Sequence, residues 1–451
     1  MRILHYFLGF PPYRTGGLTK FAYDLMRAQV ELGDEVSALW PGQMGLISKK
    51  IEIKQRGDVS GIKNFEMLNP LPVPLDHGIM NIEAFTRAID SEVFKTFFKE
   101  LSPDAIHIHS LMGLPREFIT VAKSLSIRTV FTTHDYFGLC PMFNFFKGNS
   151  VCNDDHECKD CVACNRFALS LIKIKILQSG VYRILKNSVW VRYFRKKHRL
   201  ALFSERKYYQ ASENQIREKA PKYEALRNFY ISMLSQIDCV HYNSNVTRSV
   251  YERFFIPKEF AVLAISHSKI QDLRYKAKGK KESKILRLTY LSQAKTFKGF
   301  YVMKKALDEL WNEDHQNFQL NLFCEVPETS PYMHFCGLSY TYDSLKNVFA
   351  ETDVLLAPSI WYETFGFTVL EALSYGVPVI VSNHVGAKDI VGKCGVVVEA
   401  GSVESLKQAI LSLDKEKISL LNEEIQHSTF DSLWPDFVMK NEKLYAKRVM
   451  G

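Results

Sequence analysis

The sequence lacks any long run of apolar residues. A transmembrane helix needs about 20 consecutive apolar residues, and no segment of the 451 residues reaches that length. The first residues, MRILHYFLGF, hold one Arg and a short apolar stretch, without the small-residue cleavage site of a secretory leader. We therefore expect a cytoplasmic protein without a membrane-spanning helix.

Low-complexity composition is also absent. The chain has 23 Gly and 16 Pro, and 46% of its residues are hydrophobic and 24% charged. These fractions exclude a collagen-like or mostly disordered polypeptide. The length exceeds the ~250–300 residues that a single core can organise. Two domains are therefore expected, with a ligand cleft between them.

Strand and helix patterns alternate along the chain in two series. The first runs from ILHYFLGF to IDCVHYNS, with a loop-rich stretch before Asp76, and the second starts near Phe260 and ends at GVVVEA. Such alternation predicts parallel sheets covered by helices, here as two Rossmann-like domains facing across a cleft. We expect an N-terminal domain at 1–258, a C-terminal domain at 259–430, and a helix in 431–451 that crosses back to the first domain.

The formal net charge of +9 is concentrated in one stretch. Residues 166–230 hold 16 Lys and Arg against four Glu, interleaved with apolar residues at helical spacing. A basic amphipathic helix suits an anionic membrane face, so no nucleic acid partner is expected. The segment 166–236 is therefore predicted to be a basic helical insertion that contacts an anionic membrane surface. The alternative is a solvated helical hairpin that packs only on its own domain.

Nine Cys are present, and five of them fall in one window. The window ends in Cys-x-x-Cys-x-x-Cys with His156 nearby, which is metal-ligand spacing. In a cytoplasmic protein such a cluster favours structural zinc over disulfides. Reduced thiols are the main alternative, and the spacing also allows an iron–sulfur cluster. The candidate ligands, within a predicted Cys-rich loop at 140–164, are Cys140, Cys152, Cys158, Cys161 and Cys164.

The densest chemical signal lies between Asp353 and Asn383. A strand ends in Ala-Pro-Ser, and the turn ETFGF leads into a helix over 368–375. Glu363 and Glu371 are spaced a little over two helical turns apart, which places them near one face. The helix N-terminus offers free N–H groups and the positive end of its dipole to a phosphate. Taken alone, two Glu at this spacing are more often a solvated helix face.

In these residues the chain resembles the retaining GT-B glycosyltransferases of family four, which move a sugar from a nucleotide-sugar to an acceptor. The family pattern pairs two Glu with Phe-Gly between them and Gly-x-Pro-Val after them, and it matches at Glu363, Phe365-Gly366, Glu371 and 376–379. Further motifs match along nearly the whole chain, at Gly16-Gly17, Pro103-Asp104 to His109, Thr133-His134-Asp135, Asp238 to Ser244 and Lys298-Gly299.

The resemblance implies an α/β fold of the GT-B class and a donor site in the cleft. It implies catalytic roles for His134 beside the anomeric carbon, Glu363 on the donor sugar and Lys298 on the diphosphate. It also implies that Glu371 holds the ribose hydroxyls and that 335–339 frames the base. The expected donor-binding residues are Gly16, Gly17, Lys295, Lys298, Leu338, Phe365, Gly366, Phe367 and Glu371.

Two features depart from the family pattern. The Arg that commonly lies five residues before the Lys is replaced by Gln293, with Lys295 as a nearby substitute. The usual Asn-Gly at the start of the second domain is absent, and the chain reads AISHSK. Lys and Arg are not equivalent at a bidentate site, so these changes bear on the diphosphate geometry and not on the fold.

The remaining histidines of the first domain carry no functional prediction. His107 and His109 alternate on one side of a strand and are interpreted as structural residues with satisfied hydrogen bonds.

The sequence has no D-x-D motif, which argues against a metal-chelating mechanism, so no catalytic metal is expected. The resemblance implies a retaining transfer from an NDP-sugar, with UDP-sugar as the first choice and GDP-sugar as the next. We expect a lipid-linked or polysaccharide acceptor at the inner face of the cytoplasmic membrane, in surface polysaccharide synthesis. Two other hypotheses are a GT-B-fold sugar-nucleotide epimerase and a catalytically silent, zinc-stapled membrane adaptor.

Overall fold

The computed structural model describes residues 1–45, 50–153, 157–186, 188, 210–274, 285–429 and 432–446. Within these ranges the chain forms two α/β domains, each built on one mainly parallel sheet. The expected arrangement of two Rossmann-like domains is confirmed.

The N-terminal sheet is parallel except at one edge. Its strands are β1 (Arg2–Tyr6), β2 (Glu35–Pro41), β3 (Glu52–Val59), β4 (Ile62–Leu68), β5 (Ala105–Ile108), β6 (Arg128–Thr132), β9 (Cys239–Tyr242) and β10 (Phe260–Val262), and a separate hairpin holds β7 (Phe146–Lys147) and β8 (Ser150–Val151). The spatial order is β10-β9-β6-β5-β1-β2-β4-β3, and only β3 pairs antiparallel with its neighbour. The central strands β5 and β6 are fully buried, as parallel strands covered on both faces must be.

The helices of this domain lie on both faces of the sheet and in the insertion. They are α1 (Gly17–Glu31), α2 (Ile82–Phe85), α3 (Glu92–Leu101), α4 (Arg116–Ser124), α5 (Lys159–Cys164), α6 (Leu171–Leu177), α7 (Gly180–Leu185), α8 (Glu213–Leu234) and α9 (Asn245–Tyr251). An aromatic cluster packs α3 on α4, with the rings of Phe98 and Phe118 at 5.0 Å.

The prediction of a loop-rich stretch before Asp76 is wrong, because this stretch contains the antiparallel strands β3 and β4. Two of the buried side chains of β4, Asn64 and Glu66, are polar, and this hides the alternating apolar pattern of a strand. Asn64 accepts a hydrogen bond from Trp40 Nε1 at 2.8 Å. Glu66, fully buried, is paired with Arg56 at 2.7 Å and with Arg183 of α7 at 2.5 Å.

The C-terminal domain carries a fully parallel sheet. Its strands are β11 (Leu286–Tyr290), β12 (Phe318–Leu322), β13 (Met333–Phe335), β14 (Val354–Ala357), β15 (Val379–Ser382) and β16 (Gly395–Val398), in the order β13-β12-β11-β14-β15-β16. Its helices are α10 (Phe300–Asn312), α11 (Leu345–Ala350), α12 (Phe367–Ser374), α13 (Val403–Leu411) and α14 (Lys415–His427). The expectation that this series starts near Phe260 is wrong, because β10 pairs with β9 and completes the first sheet.

A last helix, α15 (Trp434–Glu442), packs against the first domain. Its Phe437 ring lies 5.4 Å from the ring of Phe21 on α1. Beyond the helix, Tyr445 bonds to His107 of β5 at 2.7 Å, and the carbonyl of Leu444 accepts from Arg128 at 3.2 Å. The chain therefore returns from the second domain and is held against the first domain by these contacts.

The insertion splits into a packed part and an exposed part. Helix α8 buries Tyr223, Tyr230 and Met233 in the domain core. By contrast, α6 buries only Ile174, and α7 buries no side chain. Residues 187 and 189–209 of the predicted basic segment lie outside the described residues. In the part of the chain that the structure describes, none of the helices combines the length and apolar character needed to cross a membrane.

Candidate active site

Two helix N-termini, one from each domain, face each other across the cleft. Helix α12 begins after Gly366, whose φ of 99° places it in the left-handed region. A Cβ there would lie 2.9 Å from Val385 Cγ1, so the turn requires glycine. Helix α1 begins at Gly17, where a Cβ would lie 3.5 Å from the Phe367 ring at the start of α12. The positive ends of both helix dipoles thus meet at one place, which suits an anion.

Lys298 and Glu363 form an ion pair beside α12. Lys298 Nζ lies 2.6 Å from Glu363 Oε1, and Ser359 Oγ donates to Oε2 at 2.5 Å. Burial alone would raise the pKa of Glu363, but the Lys298 charge and these hydrogen bonds outweigh burial and hold the pKa below its usual value. Glu363 is therefore an ionised acceptor at neutral pH.

The backbone next to Lys298 is fixed by a glycine. Gly299 has a φ of 76°, and a Cβ there would lie 1.8 Å from the carbonyl oxygen of Pro358. No other residue fits between the two chain segments. The close approach brings the Lys298 turn against the end of β14, from which the segment with Glu363 continues.

Glu371 is buried with one of its oxygens unsatisfied. Its Oε1 lies 3.2 Å from His267 Nε2. Its Oε2 is buried and has no hydrogen-bond partner among the described residues. The His267 ring packs on Phe367 and on Tyr342, at 5.2 and 4.9 Å between centroids. The carboxylate therefore presents a free acceptor inside an aromatic pocket at the start of α12.

His134 lies on the opposite wall, at the end of β6. Its carbonyl accepts from Thr364 Oγ1 across the cleft at 3.2 Å, and its ring packs on Phe21 with centroids 4.8 Å apart. Burial, followed by the neighbouring His241, lowers the pKa of His134 to about 3. The imidazole is therefore neutral at physiological pH. Burial also raises the pKa of the adjacent Asp135 to about 6.

Several of the predicted site residues come together at the cleft. From the first domain, Gly17 lies against Phe367 and His134 accepts from Thr364. In the second domain, Lys298 pairs with Glu363, and Phe365, Gly366, Phe367 and Glu371 lie at or on α12. Leu338 is 72% exposed after β13, and Lys295 Nζ lies over the Phe297 ring at 5.3 Å. Gln293, which replaces the family Arg, is exposed. Its backbone carbonyl accepts a hydrogen bond from the backbone N–H of Lys295 at 2.7 Å.

His267 is a site residue that the sequence interpretation missed. It belongs to the AISHSK segment, which was noted only for lacking the family Asn-Gly. In the same segment, Ser268 N donates to Asp24 Oδ2 of α1 at 2.9 Å. The departure from Asn-Gly in this segment could therefore have pointed to His267 as a site residue, because the segment lies beside Glu371 where the two domains meet.

The predicted cysteine cluster surrounds a cavity of about 10 Å³, roughly the space of one water. Cys140, Cys152, Cys161 and Cys164 line it together with Arg227, whose Nη2 lies 3.8 Å from Cys161 Sγ. Burial raises the pKa of Cys164 to about 12, and Cys158 is fully buried.

In the part of the chain that the structure describes, no three of these sulfurs lie within 4.8 Å of one another. Among the described residues, one group of three potential ligand atoms lies within 4.8 Å, and it consists of His5, His107 and His109. His156 lies outside the described residues. The structure thus places four of the five cysteines around one cavity, and zinc binding by Cys140, Cys152, Cys158, Cys161 and Cys164 stays a prediction.

Two family models match the chain. The model described as Glycosyltransferase Family 4 matches residues 15–150, and the model described as Glycosyl transferases group 1 matches residues 286–416. The first range contains Gly16, Gly17 and His134, and the second contains Lys298, Glu363 and Glu371. The two matches therefore cover both walls of the cleft.

Sequence relatives match over short stretches. An O-antigen chain mannosyltransferase B of Escherichia coli is 37% identical over 69 residues, which cover 15% of this chain and 18% of the relative. An uncharacterized 41.2 kDa protein from the cps region of Klebsiella pneumoniae is 37% identical over 81 residues, or 18% of this chain and 22% of the relative. The chain thus matches about a fifth of the length of these relatives.

Solved structures match over the full chain at low identity. A glycosyltransferase from Rickettsia africae has a TM-score of 0.56 at 13% identity, over 98% of this chain and 97% of its own. An Anabaena protein, solved with UDP and glucose, has a TM-score of 0.53 at 12% identity, over 98% of each chain. An α,α-trehalose-phosphate synthase from Burkholderia xenovorans has 0.56 at 10%, over 99% of this chain and 100% of its own. At such identities the likeness shows a shared fold.

Proposed function

Because the chain belongs to the glycosyltransferases of family four, with the group 1 domain in its second half, we propose that it transfers a sugar from a nucleotide diphosphate sugar to a lipid-linked or polysaccharide acceptor. The donor is a UDP-sugar in the first place and a GDP-sugar in the second. The transfer needs no catalytic metal and retains the configuration at the anomeric carbon. The local match to an O-antigen chain mannosyltransferase supports a role in surface polysaccharide synthesis.

The buried carboxylate of Glu371 carries this proposal. Its Oε2 has no partner among the described residues, although the atom is shielded from water. A buried polar atom without a partner is costly, so a ligand that supplies hydroxyl donors stabilises the site. The adjacent hydroxyls of a nucleotide ribose are such donors. The His267 ring, which contacts Glu371, packs on the ring of Tyr342.

The surrounding groups fit the rest of a donor. A diphosphate between the N-termini of α1 and α12 receives both helix dipoles, and Lys298, which is paired with Glu363, adds a cationic group. The ionised Glu363 accepts a hydrogen bond from a hydroxyl of the donor sugar. As the bond from the anomeric carbon to the diphosphate breaks, the bond to the acceptor oxygen forms on the same face. The acceptor proton then passes to the leaving phosphate oxygen, as the family resemblance implies.

Nucleotide binding tests the donor site. We expect one of UDP, GDP, ADP and CMP, at about 100 times its dissociation constant, to add about 2.7 kcal/mol of stability in a thermal-shift assay. Glu371→Gln should abolish the shift, whereas the exposed Glu325→Gln on the same domain should keep it. If no nucleotide shifts the wild type, the donor-site assignment is wrong and the silent adaptor gains support. Product analysis separates transfer from epimerisation of the free nucleotide-sugar.

We also propose that the protein binds the anionic inner face of the cytoplasmic membrane through α6 and α7. Both helices direct apolar side chains to solvent, among them Val181 at 69% and Ile184 at 82% exposure. Lys173 and Lys175 lie on the same stretch. Apolar side chains beside basic residues are the chemistry of an interfacial helix. Their exposure favours this over the alternative of a hairpin packed on its own domain.

Vesicle flotation tests the membrane proposal. We expect the wild type to float with phosphatidylglycerol-containing vesicles and not with pure phosphatidylcholine. The double variant Val181→Asp/Ile184→Asp should stay unbound, because it removes the most exposed apolar side chains and adds negative charge. Ile256→Asp is the matched control, since Ile256 is 81% exposed elsewhere on the domain. Equal flotation of all three proteins would assign membrane binding to another surface.

A further inference from the structure

Four buried histidines and one half-buried histidine of the first domain form a hydrogen-bonded network that ends at the cleft. These are His5, His107, His109, His134 and His241, and together with the side chains that join them we call them the histidine relay. His5 lies on β1, and His107 and His109 lie on and just after β5. The network also reaches the C-terminal segment after α15, through Tyr445. The relay thus connects the far end of the chain with the candidate catalytic His134.

A backbone carbonyl next to His241 determines which atom donates in each hydrogen bond of the relay. Leu263 O lies 2.8 Å from His241 Nε2 and can only accept, so His241 carries its proton on Nε2. Burial lowers the pKa of His241 to about 4, so the ring is neutral and its Nδ1 is an acceptor. Thr132 Oγ1, at 2.9 Å, must therefore donate to that Nδ1. Having used its only proton, Thr132 accepts from His107 Nε2 at 2.7 Å.

The same reasoning assigns the donors and acceptors of the hydrogen bonds that reach the C-terminal segment. Burial also pushes the pKa of His107 well below its usual value, so its Nδ1 accepts from the Tyr445 hydroxyl at 2.7 Å. The Tyr445 oxygen is then free to accept from Gln29 Nε2 at 3.0 Å. Gln29 Nε2 also donates to Glu442 at 2.8 Å. The Gln29 amide is therefore held with its nitrogen toward the C-terminal segment.

One neighbouring amide supports this direction. Asn441 Oδ1 lies 3.1 Å from the Tyr445 hydroxyl, while Asn441 Nδ2 is buried without a partner among the described residues. The oxygen and nitrogen of an amide are assigned from the hydrogen bonds around them. With the amide turned over, Nδ2 donates to the Tyr445 oxygen, and the Tyr445 proton stays on the bond to His107.

From Gln29 the relay runs back to the cleft. Gln29 Oε1 accepts from His5 Nε2 at 2.7 Å, and His5 Nδ1 then accepts from His109 Nε2 at 2.9 Å. His109 Nδ1 in turn accepts from His134 Nε2 at 3.3 Å. His134 therefore carries its proton on Nε2. Its Nδ1, which has no hydrogen-bond partner among the described residues, keeps a lone pair.

The relay is not a metal site. His5, His107 and His109 offer nitrogens within 4.8 Å of one another, as a metal site would. Every ring nitrogen of these three histidines already takes part in a hydrogen bond of the relay. A metal would have to break several of these bonds, so the arrangement serves to orient protons.

We propose that the relay fixes His134 as the Nε2–H tautomer, so that its unprotonated Nδ1 accepts a hydrogen bond from a sugar hydroxyl in the cleft. Gln29 is the positioning residue, because it is the link between the C-terminal segment and His5. The identity of the hydroxyl rests on the proposed function, whereas the tautomer does not. The tautomer of a histidine is set by the hydrogen bond that its other nitrogen makes.

Nitrogen NMR of protein labelled with ¹⁵N-histidine tests the tautomer without any substrate. The His134 signals are assigned by their loss in His134→Asn. We expect the wild type to show His134 with an unprotonated Nδ1 and a protonated Nε2. A proton on Nδ1 in the wild type would overturn the proposal, whatever the outcome of the nucleotide-binding assay. Conversely, the expected signature together with no nucleotide binding would reject the proposed function and leave the relay intact.

Two variants test the role of Gln29. Gln29→Met removes the acceptor for His5 and should let both His134 tautomers appear, with transfer slowed about tenfold and the KM for the donor little changed. The swapped variant Gln29→Glu/Glu442→Gln again places an acceptor oxygen opposite His5 and should restore the wild-type signals and rate. If Gln29→Met leaves the His134 signals as in the wild type, Gln29 does not position His134. If Gln29→Met does not fold, the wild-type spectrum still decides the tautomer.

Discussion

Replacing Lys298 by Met tests the ion pair at the centre of the site. Lys298 and Glu363 approach to 2.6 Å, with side-chain exposures of 21% and 18%. Met keeps most of the side-chain volume and removes the charge, so Glu363 is left without its cation. Breaking a buried pair costs about 3–5 kcal/mol. Because both side chains keep some contact with solvent and Ser359 still donates to Glu363, we expect the lower end, about 3 kcal/mol.

The loss of stability should depend on pH. In the wild type, Lys298 holds the pKa of Glu363 below its usual value. Ionisation of Glu363 then adds stability above the unfolded-state pKa of about 4.3, and this is lost as the pH falls through the folded-state pKa. Without Lys298, only the hydrogen bonds to Glu363, such as that from Ser359, still oppose burial, so we expect burial to prevail and to raise the folded-state pKa above about 4.3. The variant therefore loses stability as the pH rises, and its deficit is small near pH 4 and largest at neutral pH.

Thermal unfolding at acid and neutral pH measures this deficit. A loss of about 3 kcal/mol lowers the Tm of a domain of this size by roughly 6–12 °C. The double variant Lys298→Met/Glu363→Gln should recover most of the loss, because no charge is then buried. Lys346→Met, at an exposed position of the same domain, is the control and should stay within about 0.5 kcal/mol of the wild type. An equal deficit at both pH values, or a double variant no better than the single, would refute the buried charge as the cause.

Four further predictions concern other parts of the molecule. Gly299→Ala should cost at least about 2 kcal/mol in denaturant unfolding, because its Cβ would lie 1.8 Å from the Pro358 carbonyl oxygen at a φ of 76°. Phe437→Ala should cost about 3–5 kcal/mol, because the ring is 1% exposed where the last helix meets the first domain. Burial raises the pKa of Asp135 to about 6, so stability falls as the pH rises from about 4 to about 6, and Asp135→Asn should flatten that fall in pH-dependent melts. Metal analysis should find about one zinc per chain, lost in Cys161→Ser, and an absence of metal in the wild type would leave reduced thiols as the interpretation of the cluster.

The donor side of the site could be predicted because its signals are local in sequence. The turn ETFGF and the following helix were expected at 368–375, and the structure has α12 at Phe367–Ser374. A left-handed glycine at the helix start and a buried Glu on its first turns leave a pattern within about ten residues. The N-terminus of α12 beside Glu371 therefore follows from the sequence, whereas the partner of Glu371 does not.

The rest depends on contacts between residues far apart in the chain. His267 approaches Glu371 over a separation of 104 residues, and Gln29 reaches Glu442 over 413. The strand β4 was missed because Glu66 faces inward, and the Arg183 that compensates it lies 117 residues away. A polar residue at an inward position is unfavourable until its partner is known. Single-sequence patterns therefore predict a loop where tertiary pairing builds a strand.

If the proposed function is correct, we expect domain closure to contribute more to donor binding in this chain than the family pattern implies. The second diphosphate cation of that pattern is replaced by Gln293, which is exposed, and Lys298 is already paired with Glu363 at 2.6 Å. Two helix N-termini supply further positive potential, and a helix dipole acts only within its first turn. In the proposed donor complex, the N-terminus of α1 can reach the diphosphate only when Gly17 lies against Phe367, as it does here. In the proposed reaction, closing the cleft therefore assembles the charge that stabilises the leaving group, and the same closure brings His134 against Thr364.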